Sequence, residues 1–349
     1  MTLFEAPIRW GIIGCGAVTE VKSGPAYQQE PRFELRQVMR RSLAKAADYA
    51  ARHQVPCFTA DADAVLQNPE LHAIYVATPP DSHMQYALAA AQAGKACCVE
   101  KPMALDTEQC RQMVQAFAVA GLPLFVAYYR RSLPRFLQVK HWLDEQRIGF
   151  VRHVRWDFSR PVHPRDLAGD DANWRVDPKQ AGGGYFVDLA SHGLDLLQFL
   201  LGDITQVQGL VQRQAKLYAA EDAVTAIWQH QAQADGSCAT GSASWHFAAD
   251  TRRDAVLIQG SVGSIEFSVF EEAAVHLTTR QSDGTMHSES CVIAHPPHIQ
   301  HYHVHNMARA LTEPAYQHPS TGDTALKTTA VMEAILTGTP LATLLALPK

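Results

Sequence analysis

The sequence predicts two domains: an open, doubly wound parallel α/β sheet, followed by an α+β domain built on a large, mostly antiparallel open sheet. Three observations carry this. Short apolar runs alternate with helical stretches through the first part of the chain, the mark of βαβ units. Beyond residue 127, long strands of alternating polarity follow one another with few helices between them, which requires antiparallel pairing. The length of 349 residues also exceeds what one core usually organises. The expected domains are 1–126 and 127–349.

The first strand, Ile8 to Ile13, runs straight into Gly14-Cys15-Gly16. Gly14-x-Gly16-x-x-Thr19 matches a dinucleotide fingerprint at its first two glycines. They allow a tight turn and close approach of a pyrophosphate to backbone N–H groups, here over Gly14, Cys15, Gly16, Ala17 and Val18. Thr19 replaces the third glycine and is expected to loosen helix–strand packing without affecting phosphate contact. The domain is therefore expected to bind a dinucleotide at this turn.

Phe33 to Met39 reads as the second strand, whose end carries an acid for the ribose 2′-hydroxyl in NAD enzymes. Arg40, Arg41 and Ser42 stand there instead, ahead of a helix from Leu43 to His53. Guanidinium forks suit a 2′-phosphate, so NADP(H) is the preferred expectation and NAD(H) the alternative. The plainer reading makes the arginines a solvated loop and Ser42 a helix N-cap. Ala73 to Ala77 is a further strand, Thr78-Pro79-Pro80-Asp81 a turn, and Ser82 the cap of a helix ending near Gly94. After the strand Cys97 to Glu100, Asp106 and Gln109 resemble a capping box for a helix that Gly121 ends; Leu124 to Tyr128 is the last strand of the series.

The stretch Cys97-Cys98-Val99-Glu100-Lys101-Pro102 reads as a buried strand ending in a carboxylate, an amine and a ring-locked residue. Ligands of open parallel sheets collect beyond the carboxyl ends of the strands. A lysine there, beside an apolar wall, suits acid/base chemistry, and Pro102 stiffens its backbone. A solvated Glu–Lys pair is the alternative.

In the second domain Pro134 opens a helix through Gln146. The expected strands are Val151 to Phe158, Ile204 to Gln214, Ala223 to Ala234, Ser237 to Phe247, Ala255 to Gln259, Ser264 to Phe270 and Val275 to Thr279, with Asp235-Gly236 as a hairpin turn. One helix, Tyr185 to Leu201, follows Gly182-Gly183-Gly184 and is ended by Gly202. Its Asp188, His192 and Asp195 are spaced i, i+4, i+7 and share a face. They form either a local helix pair or an oriented acid/base pair. His295, His298, His301, His303 and His305 suggest a metal, but no carboxylate completes a ligand set, so none is expected.

Bulk properties narrow the function. A net charge of −5 and a pI near 6.4 give no reason to expect nucleic acid. No apolar run reaches membrane-spanning length. Met1-Thr2-Leu3 leads towards the first strand without a basic leader, and seven cysteines with no C-x-x-C pair fit reduced thiols; a cytoplasmic location is expected. Val224, Ala226 and Trp228 share one strand face and Thr225 and Ile227 the other. Neither face is purely polar, so a homodimer or homotetramer through this sheet is expected.

Over nearly its whole length the chain resembles the glucose-fructose oxidoreductase / inositol dehydrogenase family (Gfo/Idh/MocA). The likeness rests on Gly11-Ile-Ile-Gly-Cys-Gly16, Ala77-Thr-Pro-Pro-Asp-Ser-His83, Glu100-Lys-Pro102 and Gly182-Gly-Gly-Tyr-Phe-Val-Asp-Leu-Ala-Ser-His192. The resemblance implies a nicotinamide-dependent oxidoreductase of sugars, polyols or related carbonyl compounds. It puts Lys101, Asp188 and His192 on catalytic positions and Thr78, Pro79, His83, Glu100, Trp174 and Arg175 on cofactor-lining ones. Val18 to Pro25 and Tyr128 to Arg131 resemble anhydrofructose-reductase-type members; Tyr129 and Arg130 are expected to contact substrate with Lys101, Asp188 and His192. A non-sugar substrate, such as a dihydrodiol or imine, and a non-catalytic NADP-binding regulator are the competing readings.

Overall fold

Six strands form the first sheet in a computed structural model that describes residues 4–167 and 173–346; Met1 to Leu3 lie outside them. They are β1 (Ile8–Ile13), β2 (Phe33–Met39), β3 (Cys57–Thr59), β4 (Ala73–Val76), β5 (Ala96–Val99) and β6 (Leu124–Val126). All pair parallel, in the order β3-β2-β1-β4-β5-β6. The order reverses between β1 and β4, which opens a crevice beyond their carboxyl ends. Every residue of β4 and β5 is buried, as their unbroken apolar sequence requires of strands covered on both faces. β3 is the strand the sequence hides: three residues, with Cys57 and Phe58 exposed. Asp106 caps the helix Thr107–Ala120, its Oδ1 accepting from Gln109 N at 2.8 Å, and Gly121 ends it at φ +64°.

The chain divides into two compact units. Unit 1 comprises Met1–Leu133 and His295–Leu326; unit 2 comprises Pro134–Ala294 and Lys327–Lys349. The break thus falls after Leu133, and a later segment returns to unit 1. The return is driven by burial. Helix His301–Thr312 places Val304, Met307, Ala308 and Leu311 in one core with Ile8, Trp10, Tyr27 and Phe33. Ser320 Oγ then donates to Val126 O at 2.7 Å.

Unit 2 carries eight strands: β7 (Val151–Ser159), β8 (Ile204–Gln212), β9 (Ala223–Ala232), β10 (Cys238–His246), β11 (Arg253–Gly260), β12 (Gly263–Phe267), β13 (Val275–Arg280) and β14 (Met286–Cys291). Their order is β14-β13-β12-β11-β7-β10-β9-β8, antiparallel except for the parallel pair β7–β10. β14, with almost no apolar alternation, had no sequence signal. Trp156, Phe158 and Trp245 are buried on one sheet face, with Trp156 edge-on to Trp245 at 5.4 Å. Helix Ser191–Leu201 covers that face: at Gly193 a Cβ would run into the Trp156 ring, so glycine sets the close approach next to His192. The opposite face stays open at Thr225 and Ile227, the latter 57% exposed.

The helix expected from Tyr185 to Leu201 is present, with Gly202 as its C-cap, and it is not uniform. Phe186–Ala190 forms a π-helical turn before regular α-helix begins at Ser191. Asp188 lies in this wider turn and His192 in the first turn of the α-helix. Such turns frequently occur at functional sites.

Candidate active site

Unit 1 holds the lysine turn. Tyr75 Oη, from β4, donates to Glu100 Oε1 at 2.6 Å, and Gln300 Nε2 donates to the same oxygen at 2.8 Å. Lys101 N donates to Glu100 Oε2 at 3.2 Å. Burial first and the Glu100 carboxylate second push the Tyr75 phenol well above its ordinary value, so it remains a donor. Glu100 is buried, which corrects the picture of a solvated Glu–Lys pair, while Lys101 is half-buried. His83 is fully buried, and its ring nitrogens face Thr78 O at 2.8 Å and Pro102 O at 3.0 Å. It ties the Thr78–Pro79 turn to the lysine turn. Ser82 caps no backbone group; its Oγ donates to Thr78 Oγ1 at 2.8 Å and braces the same turn.

The glycine turn lies at the end of β1. Gly14 has φ +93°, and a Cβ there would stand 2.8 Å from Thr78 N, so only glycine fits. At Gly16 an added Cβ would meet only Gly14 O, at 3.7 Å, which leaves room for a phosphate to approach. Thr19 does not loosen the packing as expected. It is buried, its Oγ1 accepts from Gly16 N and donates to Gly16 O at 2.9 Å each, and Tyr49 Oη donates to Thr19 O. Cys15 is buried, and burial pushes its thiol up to about 11 against an opposing pull from Arg40. Arg40 therefore lies within electrostatic reach of this turn. Neither the Arg40 nor the Arg41 guanidinium forms a hydrogen bond or ion pair with a described residue; Arg40 is half-buried, Arg41 and Ser42 exposed. Tyr129 and Arg130 sit in a buried turn, the guanidinium 5.0 Å from the Tyr129 ring centre.

Unit 2 holds the second group. Asp188 Oδ2 lies 3.5 Å from Arg175 Nε, and the Arg175 guanidinium stacks 4.4 Å from the Trp174 ring. The expected cofactor-lining residues Trp174 and Arg175 thus gather at the carboxylate expected to be catalytic. His192 is 5% exposed and meets the Phe270 ring edge-on at 6.0 Å. Asp195 is buried and accepts from Thr328 Oγ1 at 3.2 Å, which gives it a structural role. Sequence reading missed Tyr75 and Gln300. Tyr75 offered one faint signal, a polar tip in an otherwise apolar strand, and Gln300 offered none.

Two of the other histidines have close polar partners. His298 Nδ1 lies 2.8 Å from Val21 O, His305 Nδ1 3.0 Å from Glu30 Oε2, and His303 is buried. Among the described residues no three His, Cys, Asp or Glu converge on a metal site, and no helix is long and apolar enough to cross a membrane.

A doubly wound parallel sheet with a glycine turn at its switch point is the geometry of a dinucleotide-binding domain. Residues 8–128 match the model of the oxidoreductase family with an NAD-binding Rossmann fold, and residues 136–266 match the GFO/IDH/MocA C-terminal domain. The chain belongs to the Gfo/Idh/MocA oxidoreductase family and is an NAD(P)-dependent oxidoreductase acting on CH–OH groups. It is similar to oxidoreductase P35 of Formosa agariphila, 36% identical over 296 residues, covering 85% of this chain and 88% of that one. It is 30% identical over 195 residues to 1,5-anhydro-D-fructose reductase of Ensifer adhaerens, covering 56% of this chain and 57% of that protein. The fold matches levoglucosan dehydrogenase in complex with NADH and levoglucosan at TM-score 0.82 and 22% identity, over 94% of this chain and 96% of that one.

Proposed function

We propose that the protein transfers hydride between NADP(H) and a sugar, polyol or related carbonyl compound. The observation that carries the cofactor choice is the end of β2, where two guanidiniums with no hydrogen-bond or ion-pair partner among the described residues stand in place of a carboxylate. The glycine turn would take the pyrophosphate, Arg40, Arg41 and Ser42 the 2′-phosphate, and the Thr78–Pro79 turn the neighbouring part of the nucleotide. When bound, the nicotinamide ring supplies the hydride acceptor or donor. Everything else falls to this chain. His192 takes the hydroxyl proton as the alcohol is oxidised, imidazole being a common general base. Lys101 donates a hydrogen bond to the developing alkoxide and, in the reverse direction, polarises the carbonyl. Asp188 orients His192 or holds a neighbouring substrate hydroxyl, and Arg175, 3.5 Å away, holds that carboxylate in place. Tyr129 and Arg130 complete the substrate contacts.

The sugar class draws its support from relatives named as reductases and dehydrogenases of sugars and anhydrosugars. The test is a panel of 1,5-anhydro-D-fructose, levoglucosan, D-xylose and myo-inositol with NADP(H) and NAD(H) in both directions. Turnover is expected on at least one compound with NADP(H). A dihydrodiol as the only substrate would refute the sugar class, and NADPH binding without any turnover would favour a regulator.

The open face of the second sheet carries Ile227 and Leu210, 57% and 73% exposed, beside polar strand residues. A two-fold contact of this face with a second copy would cover them. Light scattering at micromolar concentration should give a dimer or tetramer, and a monomer would contradict this.

A further inference from the structure

We propose that Gln300 and Tyr75 are positioning residues for Lys101, acting through the Glu100 carboxylate. The inference rests on the reading of Lys101 as catalytic. Glu100 ends β5, and its two oxygens divide the work: Oε1 accepts from Tyr75 and Gln300, while Oε2 accepts from the Lys101 backbone N–H. The carboxylate therefore cannot turn without breaking bonds on both sides, and the backbone of Lys101 is pinned to it.

The chemistry of Gln300 argues for this role over packing. The side chain is 1% exposed, and its Oε1 meets no hydrogen-bond partner. An apolar residue of similar size would avoid that buried, unsatisfied acceptor. The amide is explained only by its other end, the N–H group on Glu100. The amide orientation follows from the same contact, because an oxygen turned towards the carboxylate would be repelled.

The network also runs back to the glycine turn. Tyr75 Oη lies 3.1 Å from Ser23 Oγ, just beyond the short helix Ala17–Val21 that follows that turn. Gln300 N donates to Lys22 O at 3.3 Å, and His298 holds Val21 O. One segment of the return from unit 2 thus fixes both the end of that helix and the base of Lys101.

The test reads Lys101 itself by chemical labelling, beside turnover of the Lys101→Ala variant. The full-length protein and its Gln300→Leu, Tyr75→Phe and double variants are labelled with acetic anhydride from pH 6 to 10, and labelled peptides are counted by mass spectrometry. Lys95 is the internal reference. It precedes β5, and its Nζ donates to Asn68 O and Leu71 O at 2.7 Å each, so general loosening of the sheet raises its labelling too. The Lys101-to-Lys95 ratio should change about tenfold in each single variant, the worth of one hydrogen bond to a charged group. The double variant should add little, because both donors serve one oxygen. An unchanged ratio, parallel rises in both lysines, or fully additive effects would overturn the proposal. Loss of turnover in Lys101→Ala beside an unchanged ratio overturns the positioning alone; full turnover in Lys101→Ala overturns the catalytic reading on which it rests.

Discussion

Lys101→Ala and His192→Ala should each lower kcat by about 10²- to 10⁴-fold, the usual size of a lost general acid or base. Oxidation of a secondary alcohol removes the hydroxyl proton as hydride leaves the carbon, so the oxygen needs both a proton acceptor and a donor for its growing charge. In the proposed reaction His192 is the acceptor and Lys101 the donor. Neither residue belongs to the glycine turn or to the end of β2, so NADPH affinity should change little. The measurement is kcat at saturating NADPH and a panel sugar, beside a circular dichroism spectrum that confirms folding. Near-normal kcat in both variants would remove the assignment.

Arg40→Ala should weaken NADPH by about 10- to 100-fold, since a hydrogen bond to a charged group is worth roughly 1.5–3 kcal/mol. NADH, which lacks the 2′-phosphate, should be nearly unaffected. Arg40 is half-buried and within reach of the glycine turn, whereas Arg41 is exposed. Arg41→Ala should therefore cost less, and its effect should fade faster with added salt. Fluorescence titration of both cofactors at two ionic strengths reads the difference. Tighter NADH than NADPH binding by the unmodified protein would contradict the cofactor assignment.

The parts of the site that were legible in the sequence are those whose logic is local. Gly14 and Gly16 directly after β1, and Glu100-Lys101-Pro102 directly after β5, announce strand-to-loop junctions through neighbouring residues alone. Asp188 and His192 were legible as a pair, but not the π-helical turn under Asp188, which depends on how the helix meets the sheet. Thr19 misled for a related reason. A missing glycine reads as loosened packing, whereas the hydroxyl closes on the Gly16 backbone. Gln300 lies 200 residues from Glu100 in the chain, and only the return of 295–326 to unit 1 brings them together. Amphipathic periodicity shows that helix His301–Thr312 is packed, and is silent about which core receives it. Tyr75 reads as a core aromatic until its hydroxyl is seen on the carboxylate.

The central claim is that this chain moves hydride between NADP(H) and a sugar-type carbon, and isotope transfer tests it most directly. The protein is incubated with NADPH carrying deuterium at C4 of the nicotinamide, on either face, and with 1,5-anhydro-D-fructose or D-xylose. Mass spectrometry should find deuterium on the carbon of the newly formed alcohol, from one face only, and far less of it with Lys101→Ala. Saturable NADPH binding with no deuterium in any product would contradict the claim.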